Sequence, residues 1–113
     1  MNPLAGLVVG DNEFRLHVPN ADVKQGETKT INVSIERGKN FDQDVKLSFS
    51  KEPMGVKITP DSNEIKAGAK DVQVKIEASK DAALGDHMVT LTGTPMKSGA
   101  ATSVDFKVSV KQP

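Results

Sequence analysis

The stretch Val104-Asp105-Phe106-Lys107-Val108-Ser109-Val110 alternates apolar and polar side chains without a break. In an extended chain successive side chains point to opposite faces. The run therefore puts Val104, Phe106, Val108 and Val110 on one face and Asp105, Lys107 and Ser109 on the other. A strand so patterned has one face in a core and one in water. Working back along the chain, the same period recurs in Val89 and Leu91, in Val72, Val74 and Ile76, and in Val56 and Ile58 closed by Pro60. It recurs again in Val45, Leu47 and Phe49, in Ile31, Val33 and Ile35, and in Phe14, Leu16 and Val18. Val, Ile and Phe dominate these positions and suit a pleated, half-buried surface. Gly, Pro, Asn or Asp interrupts nearly every gap, as turns require.

The pattern predicts an all-β domain, a seven-stranded antiparallel immunoglobulin-like (fibronectin III-like) β-sandwich over residues 11–113. A helical period is missing throughout. The nearest approach is Ala78 to Leu84, read as one helical turn before Gly85, crossing between sheets. Residues 1–10 read as the end of an inter-module linker with an added start methionine. Lys111 to Pro113 read as a stiff connector to a following domain.

Composition narrows the function classes. A chain of 113 residues makes one domain with one core. Its 15 basic and 15 acidic side chains cancel, so it lacks the positive field that draws a protein to nucleic acid or anionic lipid. Cysteine is absent, which excludes disulfides, thiolate metal sites and cysteine nucleophiles. The apolar run Leu4 to Val9 follows no basic residue and is too short for a secretory signal or a membrane span. Any export signal is expected upstream in a parent protein.

From Gln25 to Gly93 the chain resembles the bacterial immunoglobulin-like modules of the NEW3, or NPCBM-associated, type. The matching pieces are Gly26 ahead of Ile31, Val33, Ile35 and Arg37; Phe41 ahead of Val45 and Leu47; and Pro53, Gly55, Val56 and Pro60. Ile65, Ala67 and Gly68 follow, then Ala78, Ser79, Ala82 and Gly85 leading into Val89 and Leu91. Such modules recur in bacterial surface proteins and beside glycoside hydrolase domains. The resemblance implies a non-catalytic spacer or interaction module, extracytoplasmic as part of a larger protein. Its implied partners are neighbouring domains, with the cell envelope or a polysaccharide as further candidates, and it is expected to be a monomer in isolation. The aromatic that often follows the Gly85 position is replaced here by Asp86 and His87. By parity His87 points inward, where a hydrogen bond substitutes for a tyrosine corner.

Candidate chemistry is sparse. His17 and His87 are the only bases that titrate near neutrality, and alternation sends them to opposite faces. A copper site would need Met54, His87, Met88 and Met96 to converge, although Met54 lies in a turn and Met88 alternates away from His87. Asp42 with Asp44, and Asp81 with Asp86, lack the spacing of a calcium loop and read as solvated turns. Sugar binding favours exposed Trp or Tyr, and the chain has neither. Phe14, Phe49 and Phe106 alternate inward, while Phe41, in a loop, is expected to cap the end of the core. No catalytic residue, cofactor or metal is expected. Topology places Arg37 to Asp44, Asp61 to Gly68 and Thr94 to Thr102 at one end, with Lys39, Phe41, Met96 and Lys97 as candidate contact residues. An edge strand pairing with another chain offers a second mode. The alternative function is an accessory ligand-binding module, for carbohydrate or for copper through His and Met.

Overall fold

The structure, a computed structural model, describes residues 10–113. Residues 1–9, most of the expected linker, lie outside the described residues. The strands are β1 (Phe14–His17), β2 (Ala21–Lys24), β3 (Thr28–Arg37), β4 (Val45–Ser50) and β5 (Val56–Pro60). They continue as β6 (Glu64–Ile65), β7 (Asp71–Ala78), β8 (Gly85–Pro95) and β9 (Thr102–Lys111). One sheet has the order β1-β3-β7-β5 and the other β2-β9-β8-β4-β6. Their inner faces meet in a core that includes Val33, Val45, Val74, Val89, Leu91, Phe106 and Val108. Each of these Val and Leu side chains contributes about 1.5–3 kcal/mol through removal from water.

The all-β, two-sheet reading stands, and three details change. Among the described residues nine strands replace seven. The first predicted strand breaks after His17, because Pro19 cannot donate to a ladder and restricts the residue before it. The chain then crosses to the other sheet and resumes as β2. That strand pairs with β9 in parallel, Ala21 opposite Val108 and Lys24 opposite Lys111, so the second sheet is mixed rather than purely antiparallel. The remaining addition, β6, is a two-residue extension against Val45 and Lys46 at the outer edge. Between Ala78 and Leu84 there is no helical turn. A tight turn takes its place, with the Ala82 N–H donating to the Ser79 carbonyl at 3.1 Å.

The register defines two ends. Phe14 lies opposite Arg37, and Val45 opposite Pro95, at what we call the loop end. Gly85 lies opposite Val110, and the Gly26 N–H reaches the Ala78 carbonyl, at the turn end. The molecule is 45 Å along its longest axis. Aromatic pairs contribute to the interior: Phe14 lies on Phe41 at the loop end with ring centroids 4.8 Å apart, and half-buried Phe49 meets Phe106 edge-on at 6.2 Å midway along β8 and β9. Gly93 on β8 is a fitted position. A Cβ there would stand 2.9 Å from both Leu16 and Val45 and 3.0 Å from Phe14, so its absence lets the sheets close at the loop end.

Candidate functional site

Four segments converge at the loop end. The incoming segment, residues 10–13, lies along the β3–β4 connection, where the Gly38 N–H donates to the Glu13 carbonyl and the Asn40 N–H to the Asp11 carbonyl. The β3–β4 connection is tied in turn to the β8–β9 loop. The Gln43 side-chain carbonyl accepts from the Lys97 and Ser98 N–H groups at 2.8 and 3.0 Å, and its amide donates to the Ser98 carbonyl at 2.7 Å. The Met96 N–H donates to the Asp44 carbonyl at 2.9 Å.

The fourth segment, between β6 and β7, is held by charge. Asp44 accepts the Ala67 N–H at 2.8 Å, and Lys66 lies 3.5 Å from Asp44 and 3.0 Å from Glu64. The Ala67 hydrogen bond, supported by Lys66, holds the Asp44 carboxyl below its ordinary value. Lys66 is raised by Glu64 first and Asp44 second. Arg37 donates to the Ala69 carbonyl and, at 2.7 Å, to the Lys66 carbonyl. Burial lowers its pKa against the pull of Asp44, and its buried Nε has no partner among the described residues.

The candidate contact residues fall out differently. Lys39 and Lys97 are exposed, and Met96 is 49% exposed. Phe41 is only 5% exposed and packs on Phe14, so it caps the core and offers no side chain to a partner. A cleft of about 280 Å³ opens beside it, lined by Glu13, Phe14, Arg15, Phe41, Pro95 and Thr102 among others. Of the residues that hold the loops together, Arg37 stands out in the sequence only through the family resemblance and Asp44 only as a solvated-turn carboxylate, while Gln43 carries no sequence signal.

The remaining chemical candidates stay apart. His17 is exposed on β1 and 3.1 Å from Glu36. His87 is half-buried rather than fully inward, with Nε2 2.9 Å from the Ala83 carbonyl. Met54 lies at the turn end, where its carbonyl accepts the Ala83 N–H, far from Met96. Among the described residues, no group of three His, Cys, Asp or Glu could hold a metal ion. Asp81 accepts from the Ser79 hydroxyl at 2.7 Å. Asp86 accepts from buried Ser109 at 2.6 Å; that bond, with Lys107 close by, holds its carboxyl below the usual range. Edge pairing has little backbone to use. The four edge strands, β1, β5, β2 and β6, are 4, 5, 4 and 2 residues long, and β5 ends in Pro60.

No protein-family model matches the chain, and no curated protein is significantly similar to it. Among solved structures it is similar to S-layer protein SbsC. The likeness to domains 4 and 5 has a TM-score of 0.57 at 20% identity, over 86% of this chain and 44% of that one. For domains 4–9 the TM-score is 0.59 at 19% identity, over 88% of this chain and 14% of that one. A family 123 glycoside hydrolase from Clostridium perfringens is also similar, with a TM-score of 0.56 at 13% identity, over 83% of this chain and 22% of that one. The chain thus spans less than half of each neighbour. At these identities the likeness establishes the fold alone.

Proposed function

We propose that the chain is a non-catalytic spacer or interaction module of a larger bacterial protein working at the cell surface or otherwise outside the cytoplasm. The observation that carries this reading is the path of the chain. It comes in at the loop end through residues 10–13 and leaves β9 at the turn end, where the Gln25 N–H donates to the Lys111 carbonyl. A domain threaded from end to end separates whatever flanks it by the length of its strands.

Other observations support the finer assignment. With β2 and β6 set aside, β1-β3-β7-β5 faces β9-β8-β4, the layout of a seven-stranded immunoglobulin-like sandwich. Three glycines quoted for the NEW3-type resemblance, Gly26, Gly55 and Gly85, all adopt positive φ. S-layer domains among the structural neighbours fit a surface setting.

Amide spectra of the 15N-labelled chain, titrated with cell-wall glycans, plant polysaccharides and Cu(I), test the proposal. The spacer reading expects no localised shifts and a monomer in sedimentation. Shifts confined to the loop end, or to the His and Met residues, would replace it with the accessory ligand-binding module.

A further inference from the structure

The second and last described strands form a parallel pair in a molecule threaded from end to end. Residues Ala21, Asp22, Val23 and Lys24 of β2 face Val108, Ser109, Val110 and Lys111 of β9. The pair is fastened at both limits. At its upper limit the Lys107 N–H donates to Asn20 Oδ1 at 2.9 Å, and at its lower limit the Gln25 N–H donates to the Lys111 carbonyl at 2.9 Å. Lys111 also stands 3.9 Å from Asp22. Ala21, Val23, Val108 and Val110 are buried beneath the pair, so sliding it would drag apolar side chains through a packed core.

We infer that β2 and β9 act as a tension clamp, making this module a force-bearing link. Tension between the two ends pulls β9 toward the turn end and draws β1, and through it β2, toward the loop end. Both strands lie along that pull, and their hydrogen bonds lie across it. The bonds are therefore loaded together in shear. β1 is loaded in the same way against β3, with Phe14 opposite Arg37 and His17 opposite Ser34. The incoming backbone is further tied to Gly38 and Asn40. A pull applied to two points at the same end would instead open the ladders one bond at a time. The clamp rests on the spacer reading for its biological setting, but its mechanics do not depend on it.

Because the chain has no cysteine, single thiols can carry handles without ambiguity. Asn12, Glu52 and Gln112 are exposed; Asn12 is at the loop end, whereas Glu52 and Gln112 are at the turn end. Single-molecule pulling on an N12C/Q112C chain is expected to require at least about twofold more force than pulling on E52C/Q112C, since forced unfolding follows the unfolding barrier along the chosen direction. Val23→Pro, and independently Asn20→Ala, should lower the first force by more than they lower the second, in which the same bonds are opened one at a time. Should Val23→Pro fail to fold, Asn20→Ala carries the comparison. Equal forces along the two directions, or a first force that neither foldable variant lowers, would overturn the clamp. Failure of the spacer reading is recorded separately, as glycan- or Cu(I)-dependent amide shifts with the force ratio intact.

Discussion

The two ends of the sandwich are closed by different means. At the loop end, side chains reach across between segments far apart in sequence: Gln43 to Ser98, Asp44 to Ala67, Arg37 to Ala69. At the turn end closure rests mainly on the backbone, through short turns at Gly26, Gly55 and Gly85, all at positive φ, with Lys51 in the same left-handed region; side chains add the Gln25 amide donating to the Ala82 carbonyl at 2.8 Å and Ser109 donating to Asp86. Other side chains there are left over, so Met54 is 80% exposed and Leu84 47%. An end held by side chains and charge can be retuned by substitution and by pH. The turn end, held largely by backbone conformation, is most sensitive to replacement of a turn residue, and its pH dependence runs through the Asp86–Ser109 hydrogen bond.

The largest expected effect breaks the loop end from beneath. Phe41→Ala removes half of the Phe14–Phe41 pair and should cost about 4 kcal/mol, read as a fall in the urea midpoint at unchanged slope. A loss below about 1 kcal/mol would mean that Phe41 does not close the core. At the turn end the matching lesion is Gly55→Ala. A Cβ would lie 2.7 Å from Ala82 Cα and Ser79 Oγ on a backbone at φ +80°, so a loss of about 3 kcal/mol is expected in calorimetry.

Acid sharpens the contrast. Asp44 and Asp86 have folded pKa values depressed below the ordinary carboxylate range, Asp44 chiefly by the Ala67 N–H and Asp86 chiefly by the Ser109 hydroxyl. Their stabilisation is complete above the unfolded value of about 3.9 and disappears as the pH falls through the lower folded values. Stability should decline below about pH 4. Asp44→Asn should flatten that decline and loosen the loop end selectively, whereas Asp86→Asn should flatten it without disturbing the loops. An acid limb identical in wild type and both variants would refute the assignment.

Smaller effects complete the series. Gln43→Ala removes the acceptor for two N–H groups, so hydrogen exchange at Lys97 and Ser98 should quicken roughly tenfold while that at Val89 is unchanged. Met54→Gln should change stability by less than about 0.5 kcal/mol, because its side chain is left in water at an end closed by backbone.

The long strands were legible because period two survives whatever packs against it. The apolar faces of β3, β4, β5, β7, β8 and β9 are those of the alternation, with Phe49 and Val104 only half-buried. What escaped reading was set by distant partners. Ala21-Asp22-Val23-Lys24 alternates as well, but its four residues follow Pro19, and its assignment to the second sheet depends on β9. Glu64–Ile65 is too short for any period to be read. The loop end was legible as a meeting of three connections, but Gln43 finds its partner 55 residues away and no local pattern encodes that. Phe41 caps the core as its loop position leads one to expect, but the ring it packs on, Phe14, is brought there by the pairing of β1 with β3 and by no local pattern.

The crossover between β1 and β2 also has a consequence for how the domain is made. Asn20 bonds to Lys107, 87 residues further on, and every residue of β2 waits for a partner in β9. Loop closure over such a distance is costly, and sheets that depend on it form slowly. On a ribosome that synthesises the chain from its amino end, β3, β7 and β5 can pair while β2 still has no neighbour. The second sheet is completed only when β9 has emerged, so this domain acquires its finished form at the close of its own synthesis.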